Sequence, residues 1–276
     1  MSREHKEISQ EDLSAVLELV QKRYGFDFTQ YARSSMKRRM QRIMENFGLP
    51  SVFELKHKLL NDELFFEVFV EEITVNVTEM FRDPFFYKEL REKVIPQLES
   101  YPSVKIWHAG CSSGEEVYSL AIMLHECGLL ERSRIYATDI NSQVLNRARA
   151  GIFDLRHMKD YTLNYIAAGG TGNFSDYYTA KYDQAIFKKE LKEPMIFSIH
   201  NLVADKSFNE FNLILCRNVL IYFNEHLQNQ VISLFSESLC PFGYLALGSK
   251  ESLLFYHDRD RYETISRMSK LFKLVR

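Results

Sequence analysis

From Val104 onward, short apolar runs alternate with stretches whose apolar positions repeat every three to four residues. This alternation is the tightest constraint in the chain, because parallel strands need a crossover connection, usually a helix. Val104-Lys105-Ile106-Trp107 reads as the first strand. A helix from Glu115 to about Cys127 follows, with Val117, Leu120, Ala121 and Leu124 on one face. Arg134 to Thr138 is a second strand ending in Asp139, and Gln143 to Arg149 is helical with Gly151 as its stop. Met195 to Ile199, Phe211 to Cys216 and Gly243 to Leu247 read as further strands, with a helix from Asn224 to Leu239 before the last. Tyr262 to Ile265 and Lys270 to Val275 suit a closing antiparallel pair. The expectation is an α/β domain with a doubly wound sheet. Between Gly151 and Pro194 the alternation gives way to a Gly- and Tyr-rich stretch, which predicts an inserted subdomain at about 152–191.

The first 75 residues read as all helix. Ser9 and Asp12 open one helix, with Leu13, Val16, Leu17 and Val20 as its apolar stripe. A second spans about Gln30 to Asn46 with Met36, Met40, Ile43 and Phe47 inward, stopped by Gly48 and Pro50. Ser51 and Glu54 form a capping box for a third, and Asn61 starts a fourth that ends near Thr74. Asp83-Pro84 then restarts a helix, with Asp as cap and Pro in the first turn. The domains expected are therefore 1–75, helical, and 76–276, α/β. A length of 276 residues fits two domains at about 150 each.

A net charge of −2 argues against bulk nucleic-acid binding, yet it averages opposite local biases. Phe28 to Met44 carries Arg33, Lys37, Arg38, Arg39 and Arg42 and no acid, whereas Asn61 to Glu72 carries five acids and no base. The four cysteines contain no Cys-x-x-Cys pair, so no metal site and no disulfide framework is expected. No apolar run approaches the roughly 20 residues of a membrane span, and the start, Met-Ser-Arg-Glu-His-Lys-Glu, lacks a secretory pattern. A cytoplasmic location is expected.

The chemistry concentrates at Gly110-Cys111-Ser112-Ser113-Gly114, between the first strand and its helix. Small residues let this loop approach a ligand closely at the positive end of a helix. Asp139, ending the second strand, is placed to accept both hydroxyls of a ribose. The loop lacks dinucleotide spacing, and Glu115 and Glu116 stand where a pyrophosphate tolerates no negative charge, which disfavours a nicotinamide dehydrogenase. Paired acids suit a cationic ligand such as S-adenosylmethionine, with its sulfonium and ammonium; complementing the helix dipole is their plainer role.

These residues sit within five ordered motifs. They are Ile73-Thr74-Val75-Asn76-Val77-Thr78-Glu79-Met80-Phe81-Arg82, Ile106 to Ser119, Ala137-Thr138-Asp139-Ile140, His200-Asn201-Leu202 and Leu215 to Phe223. Together they make the chain resemble the CheR chemotaxis-receptor methyltransferases over nearly its whole length. The resemblance implies a class I S-adenosylmethionine-dependent methyltransferase fold. Its parts would be a Rossmann-like, mostly parallel seven-stranded sheet, an N-terminal all-α domain and a small inserted β-subdomain. By the same resemblance Asn76, Thr78 and Arg82 reach the cofactor from the joining segment. Gly110 lies in its loop, Glu116 meets its cationic portion, Asp139 holds its ribose, and Asn201 and Leu202 flank its adenine. Arg217 and Asn218 lie at the carboxyl end of strand four, where open α/β sheets bind ligands. Arg82 and Tyr222 are the residues implied to serve methyl transfer, and Lys37, Arg38, Arg39 and Arg42 to dock the substrate. Val117 stands where the family often has proline.

The implied activity is methyl transfer to glutamate side chains of a methyl-accepting chemotaxis-type receptor or another acidic signalling protein. The enzyme would act as a monomer without nucleic acid or membrane insertion. The competing readings are a catalytically silent S-adenosylmethionine-binding adaptor and a methyltransferase with a non-receptor substrate. N-methylation of adenine or glutamine is disfavoured, because Cys216-Arg217-Asn218-Val219 replaces the Pro-Pro signature of such enzymes.

Overall fold

A computed structural model describes residues 8–74 and 78–275. The described residues before 75 group with Ile221–Gln230 in one compact unit; those from 78 to Leu220, with Val231 onward, form the other. The Ile221–Gln230 segment after strand four thus groups with the helices, an addition to the expected stretches 1–75 and 76–276.

The helical unit contains α1 (Gln10–Tyr24), α2 (Arg33–Asn46), α3 (Val52–Asn61) and α4 (Glu63–Ile73). Side-chain caps start three of them. The Ser9 hydroxyl accepts from the Asp12 amide, Ser51 from Glu54, and the Asp62 carboxylate from Phe65. Asp62, not Asn61, thus opens α4, while Asn61 ends α3. Leu13, Val16, Leu17 and Val20 are buried as their spacing requires. Phe47 lies just past the end of α2 and stays 39% exposed, edge-on to Phe65. The segment Ile221–Gln230 is tied in by backbone bonds from Ala32 to Tyr222 (2.8 Å) and from Asn224 to Gln30 (3.0 Å). Tyr31 meets Phe223 edge to face at 4.9 Å.

Among the described residues the larger unit has ten strands: β1 (Val104–Ala109), β2 (Ser133–Asp139), β3 (Ile152–Asp154), β4 (Tyr178–Lys181), β5 (Gln184–Phe187), β6 (Met195–Ile199), β7 (Phe211–Cys216), β8 (Leu239–Leu247), β9 (Tyr262–Ser266) and β10 (Leu271–Leu274). Seven form one sheet in the order β6-β2-β1-β7-β8-β10-β9. The first five run parallel, and β10 runs antiparallel to both its neighbours. The expected Rossmann-like sheet with its closing hairpin is therefore present. Its central strands are buried on both faces, as near-continuous apolar runs such as Leu213-Ile214-Leu215 demand.

The inserted stretch forms a separate three-stranded antiparallel sheet, β3-β5-β4. It is fastened to the core by Glu126, whose carboxylate accepts from the Tyr165 and Tyr177 hydroxyls and the Thr171 amide. Chain order reverses between β1 and β7, which makes their carboxyl ends the switch point where doubly wound sheets place ligands. No helix among the described residues is long and apolar enough to cross a membrane.

Candidate active site

At the switch point the loop after β1 is folded against the ends of β2 and β7. The Gly110 and Cys111 amides both donate to the Thr138 carbonyl, at 2.8 and 2.9 Å. Gly110 has φ of +76°, and a Cβ there would lie 2.5 Å from the Val219 side chain. Only glycine combines that backbone with that approach. The Glu115–Glu126 helix follows at once, its amino end facing the loop.

Asp139 organises this loop from below. One carboxylate oxygen accepts the Ser112 amide at 2.9 Å and the other accepts the Asn141 amide at 3.0 Å. Each oxygen keeps a lone pair for a further donor, so both hydroxyls of a ribose can be added without displacing either amide. Burial raises the carboxyl above its usual range, against these amide bonds. Beside it the Asn141 side-chain amide nitrogen is buried with no partner among the described residues, as is Nδ1 of His200. Unmatched buried polar atoms at the ends of β2 and β6 suit a polar ligand that supplies the missing partners.

The second half of the site is an ion cluster. Arg217, just past β7, has only 1% of its side chain exposed. Its guanidinium donates to Glu116 at 2.6 Å and to Asp83 at 2.7 Å, and lies 4.0 Å above the Phe86 ring. Asp83 stands at the N-cap of the Pro84–Glu89 helix, as expected, but makes no side-chain capping bond: its backbone is left-handed and its carboxylate is taken by Arg217. Nδ1 of His108 lies 3.6 Å from the other Glu116 oxygen. Two carboxylates on one guanidinium leave the cluster with a net negative charge, which suits a cationic ligand. Glu115 points elsewhere, accepting from the Ser113 hydroxyl at 2.7 Å, and burial raises its carboxyl.

Burial alone would also raise Glu116, but Arg217 and His108 outweigh it and hold the carboxyl below its ordinary value of 4.5. A carboxyl lowered on folding contributes stability that is fully present above its unfolded value and lost as pH falls through its folded value. Glu115 and Asp139 carry the opposite sign: their contribution is present at low pH and lost as pH rises through their raised values. Below about pH 4.5 the parent chain is expected to lose stability more steeply than Glu116→Gln. Urea unfolding across that range checks it, and parallel acid limbs would refute it.

Thr78 and Arg82 are half-buried on the segment leading to Pro84, and Asn76 lies outside the described residues. Arg82 sits between two left-handed residues, Phe81 (φ +53°) and Asp83 (φ +57°), a strained arrangement typical of functional loops. The Phe81 amide donates to the Ser119 hydroxyl at 2.8 Å, fixing this segment on the Glu115–Glu126 helix. Asn201 forms a turn, its side chain accepting from Val203 and its amide donating to Asp205, with Leu202 half-buried at its tip. Asn218 is left-handed (φ +61°), and its amide donates to the buried Glu251 carboxylate at 3.1 Å. Glu251 also accepts the Gly248 amide at 2.5 Å, joining the ends of β7 and β8. It follows Ser249 and Lys250 in an unpatterned stretch, so no periodicity marks it in the sequence.

In the helical unit, Lys37, Arg38 and Arg42 leave α2 on its partly or fully exposed side. Arg39 corrects the expectation of a four-base docking face. It is buried, its guanidinium lies 4.7 Å over the Tyr222 ring, and it donates to the Ile73 carbonyl. Three residues after Met36 and four before Ile43, it lies on the buried face of α2. Tyr222, implied to serve catalysis, is thereby an aromatic partner of α2. No group of three or more His, Cys, Asp or Glu among the described residues could hold a metal ion.

Comparison with known proteins agrees with this geometry. The family described as "CheR methyltransferase, SAM binding domain" matches residues 76–270, and "CheR methyltransferase, all-alpha domain" matches residues 11–74. The Pseudomonas putida protein Cher3 is 44% identical over 262 residues, covering 95% of this chain and 96% of its own. A chemotaxis protein methyltransferase of Listeria innocua is 32% identical, covering 86% of this chain and 88% of its own. Chemotaxis protein methyltransferase 1 of Pseudomonas aeruginosa is 31% identical, with 81% and 82% covered.

Proposed function

We propose that this chain, which belongs to the CheR methyltransferase family and is an S-adenosylmethionine-dependent methyltransferase, methylates glutamate side chains of an acidic helical signalling protein of the chemotaxis-receptor type. The observation that carries the reading furthest is the cluster of Glu116, Arg217 and Asp83, two carboxylates on one guanidinium with the His108 imidazole next to Glu116.

S-adenosylmethionine, when bound, supplies a methyl group on a sulfonium, a good leaving group. Asp139 would accept the ribose hydroxyls through its spare lone pairs, and the negative cluster would face the cationic portion. A glutamate carboxylate, with an ordinary pKa of about 4.3, needs no deprotonation at neutral pH. Orientation and water exclusion are then the main demands on the protein. Arg217 acts as a buried brace that aims Glu116. By family resemblance Arg82 and Tyr222 orient the incoming carboxylate, and Lys37, Arg38 and Arg42 of α2 attract the acidic substrate.

Incubation with methyl-labelled S-adenosylmethionine and receptor cytoplasmic helices is expected to place label in base-labile methyl ester. In the same assay Arg82→Ala and Tyr222→Phe are expected to lower turnover at least about tenfold with cofactor still bound. Tight cofactor binding with no ester on any acidic protein would point instead to a silent adaptor.

A further inference from the structure

The hairpin that closes the sheet carries a basic cavity that the cofactor site does not use. It measures about 450 Å³ and is lined by Arg259, Arg267 and Lys270, by Ser252 and Thr264, and by one acid, Asp260. Arg259 is partly committed, donating to the Leu254 carbonyl at 3.1 Å with Asp260 at 4.0 Å. Arg267 and Lys270 have no acidic partner among the described residues. Three cations against one carboxylate, in a concave wall with two hydroxyls, is an arrangement for binding anions.

Its place in the fold narrows the ligand. β9 runs in the same direction as β8, and Leu271 pairs with both Ala246 and Ser266. The β9–β10 turn, which carries Arg267 and Lys270, therefore emerges on the same edge of the sheet as the loops after β1, β2 and β7, whereas Arg259 precedes β9 and lines the far end of the cavity. β9 lies three strands from β7, or about 14 Å at the usual spacing. That distance equals about nine residues of α-helix. The same two segments expose Leu254, Phe255 and Met268 at 59%, 68% and 70%. Of these Leu254 lines the basic cavity and Met268 the adjoining pocket beside Asp83 and Arg217, and apolar side chains next to unpaired cations match a helix that is apolar on one stripe and acidic beside it.

We infer that the Arg259/Arg267/Lys270 cavity is a second docking point for the acidic substrate protein. It grips carboxylates about two to three helical turns from the one being methylated. The inference rests on the reading of the reaction as protein-glutamate methylation, and it sets the substrate's direction along the sheet edge. Arg267 and Lys270 line this cavity and not the neighbouring pocket that Met268 and Ser269 share with Asp83 and Arg217, so their reversal is aimed at docking rather than at the chemistry.

The test is the double variant Arg267→Glu/Lys270→Glu, assayed for methyl transfer to receptor cytoplasmic helices and for S-adenosylmethionine affinity by calorimetry. The expected result is a KM for the protein substrate raised about tenfold, with kcat and cofactor affinity unchanged. An unchanged KM would overturn the inference, as would loss of inorganic-phosphate binding in the variant without any change in KM, which would mark a small-anion site. A parallel measurement does not depend on methylation: fluorescent poly-L-glutamate should bind the parent chain more tightly than the variant. If no acidic protein accepts methyl yet that difference persists, the reaction reading fails and the docking point stands; equal binding removes the docking point.

Discussion

Asp139→Ala is expected to weaken S-adenosylmethionine binding by at least about a hundredfold, the equivalent of two charge-assisted hydrogen bonds at roughly 1.5 kcal/mol or more each. The carboxylate holds the Ser112 and Asn141 amides and so shapes the loop before any ligand arrives. Removing it also strands two buried N–H groups, which costs about 1–3 kcal/mol apiece in stability. Asp139→Asn separates these effects. Its amide oxygen can keep one amide bond but cannot accept from both amides and both ribose hydroxyls. Calorimetry should rank affinity as parent, then Asn, then Ala. Cofactor binding by Asp139→Ala within threefold of the parent would remove Asp139 from the site.

The second large effect belongs to stability. Arg217→Met should cost about 3–5 kcal/mol, because it leaves Glu116 buried near Asp83 with the guanidinium gone and only the His108 imidazole beside it. For a unit of this size that lowers the melting temperature by roughly 10 °C. The diagnostic observation is recovery: Glu116→Gln added to Arg217→Met should restore at least half of the loss, since the stranded charge and not the missing contact dominates. An additive double variant would show that Arg217 matters only through its packing on Phe86.

Much of this architecture could be read from residue order, and the failures share one cause. Ser9 and Ser51 cap their helices, and Asp139 ends its strand, because each rule is local and acts within four residues. Asp83 has the same local credentials as a cap but is claimed by Arg217, 134 residues away. Arg39 belongs to a basic run but is buried under Tyr222, a residue that returns from beyond strand four. Glu251 stands in no pattern, and its role appears only when β7 and β8 lie side by side. Charge and capping rules name what a side chain can do; only the assembled fold decides which partner takes it.

The return of Ile221–Gln230 to the helical unit has a consequence for how the protein is made. The four helices leave the ribosome first, yet the Tyr31–Phe223 and Gln30–Asn224 contacts that complete their unit are synthesised more than half a chain later. At about 5–20 residues per second, the nascent helices wait roughly 10–30 s for their last segment. Meanwhile the first strands of the sheet have already emerged. Neither unit can be finished before the other has begun, so the chain matures as one interleaved product.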